Sequence, residues 1–277
     1  MYSMLSSMCS RQLAVCSWSL NPNTPLELVS ACQACEIMNI QLALLPLVHD
    51  SKWKECGEIL QDSGITVLSG MLEASGEDYS TLETIAQTGG LRREEMWAST
   101  IDNTKRVADV SAEMGIPLVT FHAGLIPAEH GTERRRMLDK LHVMTEVCVD
   151  RGVMLGLETG QECADNVASV LIELRFDELG VNFDPANMIL YGKGDPVEAL
   201  QKLAPWVKQV HIKDAIASQT KGEWGTEVPV GEGQVDWSAF LKFVPEEINL
   251  AIEREIGENR VQDVKQAKQF LQGLEIC

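Results

Sequence analysis

Apolar and polar positions along this 277-residue chain fall into a repeating unit: a stretch of helical periodicity, a glycine, then a short aliphatic run that ends in polar side chains. Gly64 precedes ITVLSG, Gly115 precedes IPLVTFHAG, Gly152 precedes VMLGLETG and Gly180 precedes VNFDPAN. A glycine at such a junction suits the left-handed residue that closes a helix before the chain enters a strand. With LAVCSW (13–18), NIQLALL (39–45), WVKQVHIKD (206–214) and NLAIERE (249–255), the pattern predicts eight strands with helices between most of them.

Strands alternating with helices imply a parallel sheet with right-handed crossovers. Eight units fit an α/β fold of the closed (β/α)8 TIM-barrel type better than an open doubly wound sheet. No GxGxxG follows the first strand, and no Walker A sequence occurs. No Pro/Gly/Ser-rich linker divides the chain, so one barrel domain over residues 1–277 is expected, with 1–10 as a flexible tail. Residues 215 to 236 lack periodicity and follow the seventh strand on the catalytic side, where long loops are usually functional.

The formal charge of −18 and pI near 4.7 work against nucleic acid as a partner. One basic triplet, Arg134 to Arg136, reads as a solvated helix face. No apolar run is long enough for a membrane span, and MYSMLSSMCSRQ has no basic region ahead of an apolar one. The expected location is therefore cytoplasmic. The eight cysteines are scattered through core segments and helices, as buried thiols of a reducing compartment are, and Cys32 and Cys35 read as neighbours on one helix face.

Strand parity then isolates a chemical centre. Val153, Leu155 and Leu157 form the apolar parity of the fifth strand, which leaves Glu158 facing into the barrel at its C-terminal end. By the same alternation Asp184 faces in after Val181 and Phe183, His211 and Lys213 face in beside Val210 and Ile212, and Glu253 and Glu255 face in after Leu250 and Ile252. Unpaired buried carboxylates cost several kcal/mol each, so their convergence requires a cation. One divalent metal held by Glu158, Asp184, His211 and Glu253 meets that need. The donors suit Mn²⁺ or Mg²⁺, with Co²⁺ and Zn²⁺ as alternatives. The plainer alternative is an ionic network with Lys213 or Arg254. Lys213 has two readings of its own: holding a substrate oxygen, or balancing Glu158 or Asp214.

In these motifs the chain resembles the xylose isomerase-like barrel superfamily, in its sugar phosphate isomerase/epimerase branch. The resemblance is carried by TFHAG (120–124), GLETG (156–160), NFDPANM (182–188), VHIKD (210–214), VGEGQVDW (230–237) and AIERE (251–255), in that order along nearly the whole chain. It implies a metal bound by Glu158, Asp184, His211 and Glu253, with Glu158 and Glu253 as the catalytic proton carriers beside a metal-bound carbonyl. It further implies a sugar or polyol-derived small molecule as substrate, with His122, Asn187, Lys213 and Glu232 as substrate-contacting candidates. Trp18 and Trp53 are candidates for an apolar wall against a sugar face. Homo-oligomers are common among such barrels. Two positions depart from the ketose epimerase pattern: Asn187 stands where a histidine is usual, and the loop after the seventh strand offers Lys221 in place of an arginine. No basic cluster or Gly-rich cradle supports a phosphorylated substrate. The competing readings are a lyase of the inosose dehydratase kind, an apurinic endonuclease-like hydrolase and a non-catalytic sugar binder.

Overall fold

A computed structural model describes residues 11–220 and 222–274. The expected N-terminal tail and Lys221 lie outside the described residues. The strands are β1 (Leu13–Cys16), β2 (Asn39–Ala43), β3 (Thr66–Met71), β4 (Leu118–Phe121), β5 (Met154–Glu158), β6 (Leu179–Phe183), β7 (Val207–Ile212), β8 (Asp214–Ile216), β9 (Thr226–Val228) and β10 (Asn249–Ile252). Among the described residues, eight of them close into a parallel barrel in the order β1-β10-β7-β6-β5-β4-β3-β2. The fold is the expected (β/α)8 TIM barrel, and among the described residues no helix is long and apolar enough to cross a membrane.

Local chemistry explains most element boundaries. The helix Pro25–Cys35 starts where Thr24 accepts the Glu27 N–H and Pro25 sets the first turn. It buries Leu28, Val29, Cys32 and Cys35, so the two cysteines are free thiols on its core face. Gly64, Gly115 and Gly152 take the expected left-handed conformation, with φ of 69°, 68° and 72°. Gly180 does not. It lies inside β6, where an added Cβ would meet Lys208 Cγ at 2.4 Å and Trp206 O at 2.5 Å. Close approach to the strand β7 end, and not helix closure, requires this glycine; the preceding helix is closed by Arg175 at φ 58°.

Two further expectations are corrected. Arg134 is buried, whereas Arg135 and Arg136 are exposed. Its guanidinium donates to Pro127 O, Asn166 Oδ1, Ser169 Oγ and Glu173 Oε2, which pins the helix Thr132–Val149 to the next one. The aperiodic stretch after β7 contains an antiparallel hairpin, β8 on β9, with Asp214 opposite Val228 and Ile216 opposite Thr226. The buried Asp214 carboxylate accepts from the N–H groups of Ala215, Gly231 and Val235 and from the Trp237 indole, and so ties the hairpin and the following loop to the barrel rim.

The barrel interior is polar. Gln41, Ser69, Thr120, Asn182 and Gln209 are all buried there, beside a small apolar cluster of Ala14, Cys16 and Ala251. Gln41 Nε2 donates to Thr120 Oγ1 (2.8 Å), Ser69 Oγ to Gln209 Oε1 (2.6 Å) and Gln209 Nε2 to Asn182 Oδ1 (3.1 Å), so these groups satisfy one another.

Candidate metal centre

Four neighbouring strands bring the expected residues to one rim. Glu158 ends β5, Asp184 follows β6, His211 lies in β7 and Glu253 follows β10, and their exposures are 6%, 0%, 0% and 3%. Asp184 also caps the helix Pro185–Leu190, its Oδ1 accepting the Asn187 N–H at 3.0 Å. His211 Nδ1 faces Glu253 Oε2 at 3.3 Å, Glu158 Oε1 at 3.5 Å and Asp184 Oδ2 at 3.7 Å. One donor atom from each of the four residues fits within 4.8 Å of the others.

Satisfaction of these atoms is the test of whether a cation fits. Glu158 Oε2, Asp184 Oδ2, His211 Nδ1 and Glu253 Oε2 are buried without a hydrogen-bond partner; among the described residues only Arg11 Nε and Ser111 Oγ share that condition. Each of the four clustered residues thus carries one orphaned buried atom, a costly arrangement in the absence of a cation. The donor set of three carboxylates and one imidazole fits a divalent metal. The opposite nitrogen of His211, Nε2, lies 2.7 Å from Gln41 Oε1, which can only accept, and 2.9 Å from Asn182 Nδ2; in the Nε2–H tautomer that Gln41 favours, Nδ1 is the nitrogen available for a metal.

The alternative of a purely ionic network is present in part. Lys213 Nζ lies 2.9 Å from Glu253 Oε2, without hydrogen-bond alignment, and 3.7 Å from Asp184 Oδ2, and it donates to Glu255. Arg254 points elsewhere, to Glu227 and Asp263. One lysine therefore faces three carboxylates, Asp184, Glu253 and Glu255. Burial would raise the Glu253 carboxyl, but Lys213 and then His211 outweigh it and hold it at about 2. Burial likewise opposes ionisation of Glu158, yet His122 and His211 keep it well below the carboxylate range. At Asp184 burial wins and the carboxyl is raised.

The other expected residues separate into two groups. His122 Nε2 is 3.3 Å from Glu158 Oε1, and Asn187 Nδ2 donates to the same oxygen at 3.1 Å. Burial would lower the His122 imidazole, but Glu158, with Glu77 and Glu255, raises it to about 9. Trp18 donates its indole N–H to Glu253 Oε1 at 2.8 Å. Glu232, by contrast, is exposed and does not line the cavity above the centre. Trp53 packs in the apolar core, and the wall expected of it is formed by Leu44, Leu45 and Pro46.

That cavity has a volume of about 570 Å³. Glu255, expected from strand parity to face inward, lines the cavity, whereas the lining glutamates Glu73 and Glu227 and the aromatic residues Tyr79, Tyr191 and Trp224 are not part of the sequence-level reading. Glu227 was findable only through the hairpin pairing: its Oε1 accepts from Arg254 and from the backbone of Glu255 and Ile256.

A family model described as a xylose isomerase-like TIM barrel matches residues 30–274. Among solved structures, a xylose isomerase domain protein from Planctomyces limnophilus is 28% identical, with a TM-score of 0.83 and 96% of each chain covered. An L-ribulose 3-epimerase is 16% identical, with a TM-score of 0.71 over 96% of this chain and 95% of that one, a likeness of fold. Among curated proteins, the uncharacterised YihM of Escherichia coli (strain K12) is 32% identical over 98 residues, 35% of this chain and 30% of that protein. The match therefore spans under a third of that relative's length.

Proposed function

This chain belongs to the xylose isomerase-like TIM barrel family, and from that premise we propose that it is a divalent-metal-dependent isomerase or epimerase of a ketose or related hydroxy-carbonyl compound. The observation that carries the reading is the set of four orphaned atoms on Glu158, Asp184, His211 and Glu253. When bound there, a divalent cation supplies a Lewis acid that acidifies the C–H beside a substrate carbonyl.

The chain's own groups then divide the proton work. Glu158 and Glu253 stand at the two ends of the four-strand arc β5-β6-β7-β10, with Asp184 and His211 between them. Each glutamate has one oxygen anchored, Glu158 Oε1 by Asn187 and Glu253 Oε1 by Trp18, so each carboxylate has a fixed plane. Both are held ionised, by His122 and His211 on one side and Lys213 and His211 on the other, as a general base must be. One glutamate takes the substrate proton; the other, itself ionised at rest, first gains a proton from solvent and then returns it, and isomerisation and epimerisation differ only in where that proton returns. His122, whose imidazole Glu158 shifts up to about 9, stands at the cavity wall, where its ring N–H can donate to a developing oxyanion. L-ribulose 3-epimerase, a protein of the same fold, is an epimerase by its description, which supports this reaction class.

Solvent exchange tests the reading. With Mn²⁺ and a panel of ketoses, hydroxypyruvate and inososes in deuterated water, the protein should incorporate deuterium beside the carbonyl of at least one compound. Glu158→Gln and Glu253→Gln should each lower exchange by roughly 10²–10⁴-fold. Exchange unchanged in both variants would remove the two glutamates from the mechanism, and a product lighter by one water would redirect the assignment to a lyase.

A further inference from the structure

The cavity above the centre is built from two unlike surfaces. Its floor is acidic: Glu158 and Glu253 are joined by Glu227 and Glu255, and Glu73 stands at the wall, whereas among the described residues no lysine or arginine lines it. Lys213 is buried and already engaged by Glu253 and Glu255. An anionic group on a substrate would meet five carboxylates, while the one cationic side chain of the described lining, His122, already faces Glu158 Oε1 at 3.3 Å, on a chain that carries a net charge of −18.

The walls are hydrocarbon. Leu44, Leu45, Pro46 and Met71 come from the ends of β2 and β3, on the side of the barrel away from the metal-centre strands. Tyr191 and Trp224 face the cavity as an edge-to-face pair, ring centroids 4.7 Å apart at 61°. Trp224 is fixed there because Gly225, beside it, donates its N–H to Leu190 O, and a side chain at 225 would strike Ile216 O at 2.7 Å. At the rim Ile256 is 60% exposed and Tyr79 47% exposed, although both line the cavity. The C–H face of a bare sugar can cover one aromatic surface such as the Tyr191–Trp224 pair, but it leaves the Leu44–Pro46 wall opposite and the exposed Ile256 rim without a partner.

We propose that the substrate is an uncharged sugar carrying an apolar substituent, a glycoside whose sugar ring meets the acidic floor and whose aliphatic or aromatic aglycone lies between the Leu45–Pro46 wall and the Tyr191–Trp224 pair. The position of the reacting carbonyl at the floor rests on the isomerase reading above; the preference for a neutral ligand rests on the acidic lining and that for an apolar tail on the walls.

Binding, read by calorimetry and by quenching of the cavity tryptophans Trp18 and Trp224, tests the proposal without turnover. The probes are the phenyl β-glycosides of glucose, galactose, mannose and xylose, the four free sugars and glucose 6-phosphate, each titrated into metal-free and Mn²⁺-loaded protein. At least one phenyl glycoside should bind about tenfold or more tighter than its free sugar, as burial of a phenyl group predicts, and glucose 6-phosphate should bind more weakly than glucose. Trp224→Ala and Leu45→Asp should each erase most of the phenyl preference. Free sugars binding as well as their glycosides, the phosphate binding best, or no glycoside binding by about 10 mM would each overturn it. Deuterium exchange without glycoside preference would overturn this inference and leave the isomerase reading standing; preference without exchange on any keto compound would do the reverse.

Discussion

Replacing Asp184 by Asn separates a metal site from an ionic network, because the two predict opposite behaviour. Asp184 Oδ1 accepts the Asn187 N–H at 3.0 Å, a bond the asparagine carbonyl retains, while Oδ2 is the orphaned atom 3.7 Å from both His211 Nδ1 and Lys213 Nζ. Burial raises this carboxyl, so its charge is a burden on the metal-free fold. Metal-free Asp184→Asn should therefore melt no lower than the wild type. A saturating cation stabilises the native state by about 2.7 kcal/mol at a hundred times its Kd. For a chain of this size that is a rise of roughly 5–10 °C. Differential scanning calorimetry with and without Mn²⁺, after chelation, should give that rise for the wild type and little for the variant. If the wild-type melting temperature ignores Mn²⁺, Mg²⁺, Co²⁺ and Zn²⁺, or if the variant responds equally, the four residues do not form a metal site.

Three other outcomes follow from the same coordinates. Gln41→Leu removes the acceptor 2.7 Å from His211 Nε2 and should weaken metal binding about 10–100-fold in a competition titration; unchanged affinity would show that this bond does not orient the imidazole. Burial lifts the Glu162 carboxyl to about 7, against the Ile126 N–H, so the folded state pays for ionisation that the unfolded chain makes freely. That cost is absent below pH 4.5, grows up to about pH 7 and is constant above it. Glu162→Gln should stabilise at pH 8 by about 1–2 kcal/mol, discounted because the residue is half-buried, and do little at pH 4; a loss of stability at pH 8 in denaturant titrations would contradict this. Gly124→Ala places a Cβ 1.9 Å from Gly89 O at a φ of 77° and breaks the clasp that joins the loops after β3 and β4, so unfolding should be easier by about 3 kcal/mol or more, and a wild-type denaturation midpoint would refute the clasp.

What the sequence discloses depends on whether a residue contradicts its surroundings. Glu158, Asp184, His211 and Glu253 each interrupt an apolar alternation at a strand end, so parity alone assigns them a direction. Gln41, Asn182 and Gln209 occupy the same inward parity, but a polar residue in a strand reads equally well as solvent-facing, and only barrel closure makes them interior. Glu227 sits in a three-residue strand too short to show a period, while the more conspicuous GEG loop places Glu232 in solvent. Arg134 looks like its exposed neighbours because its partners Asn166, Ser169 and Glu173 lie a full β/α unit later in the chain.

The polar interior also determines which end of His211 is available for chemistry. With its N–H committed at Nε2 to Gln41, a neutral imidazole presents the Nδ1 lone pair to three carboxylate oxygens between 3.3 and 3.7 Å away. Lone pair against anion is repulsive, and two substitutions relieve it: a proton on Nδ1, or a cation shared by all four groups. Burial disfavours the proton, yet Glu253, with Cys16 and Glu158, shifts the imidazole well above its ordinary value, which favours that proton in the metal-free centre. A metal must displace it. Binding therefore releases a proton and strengthens as pH rises, whereas a bare ionic network held by Lys213 has no reason to do so.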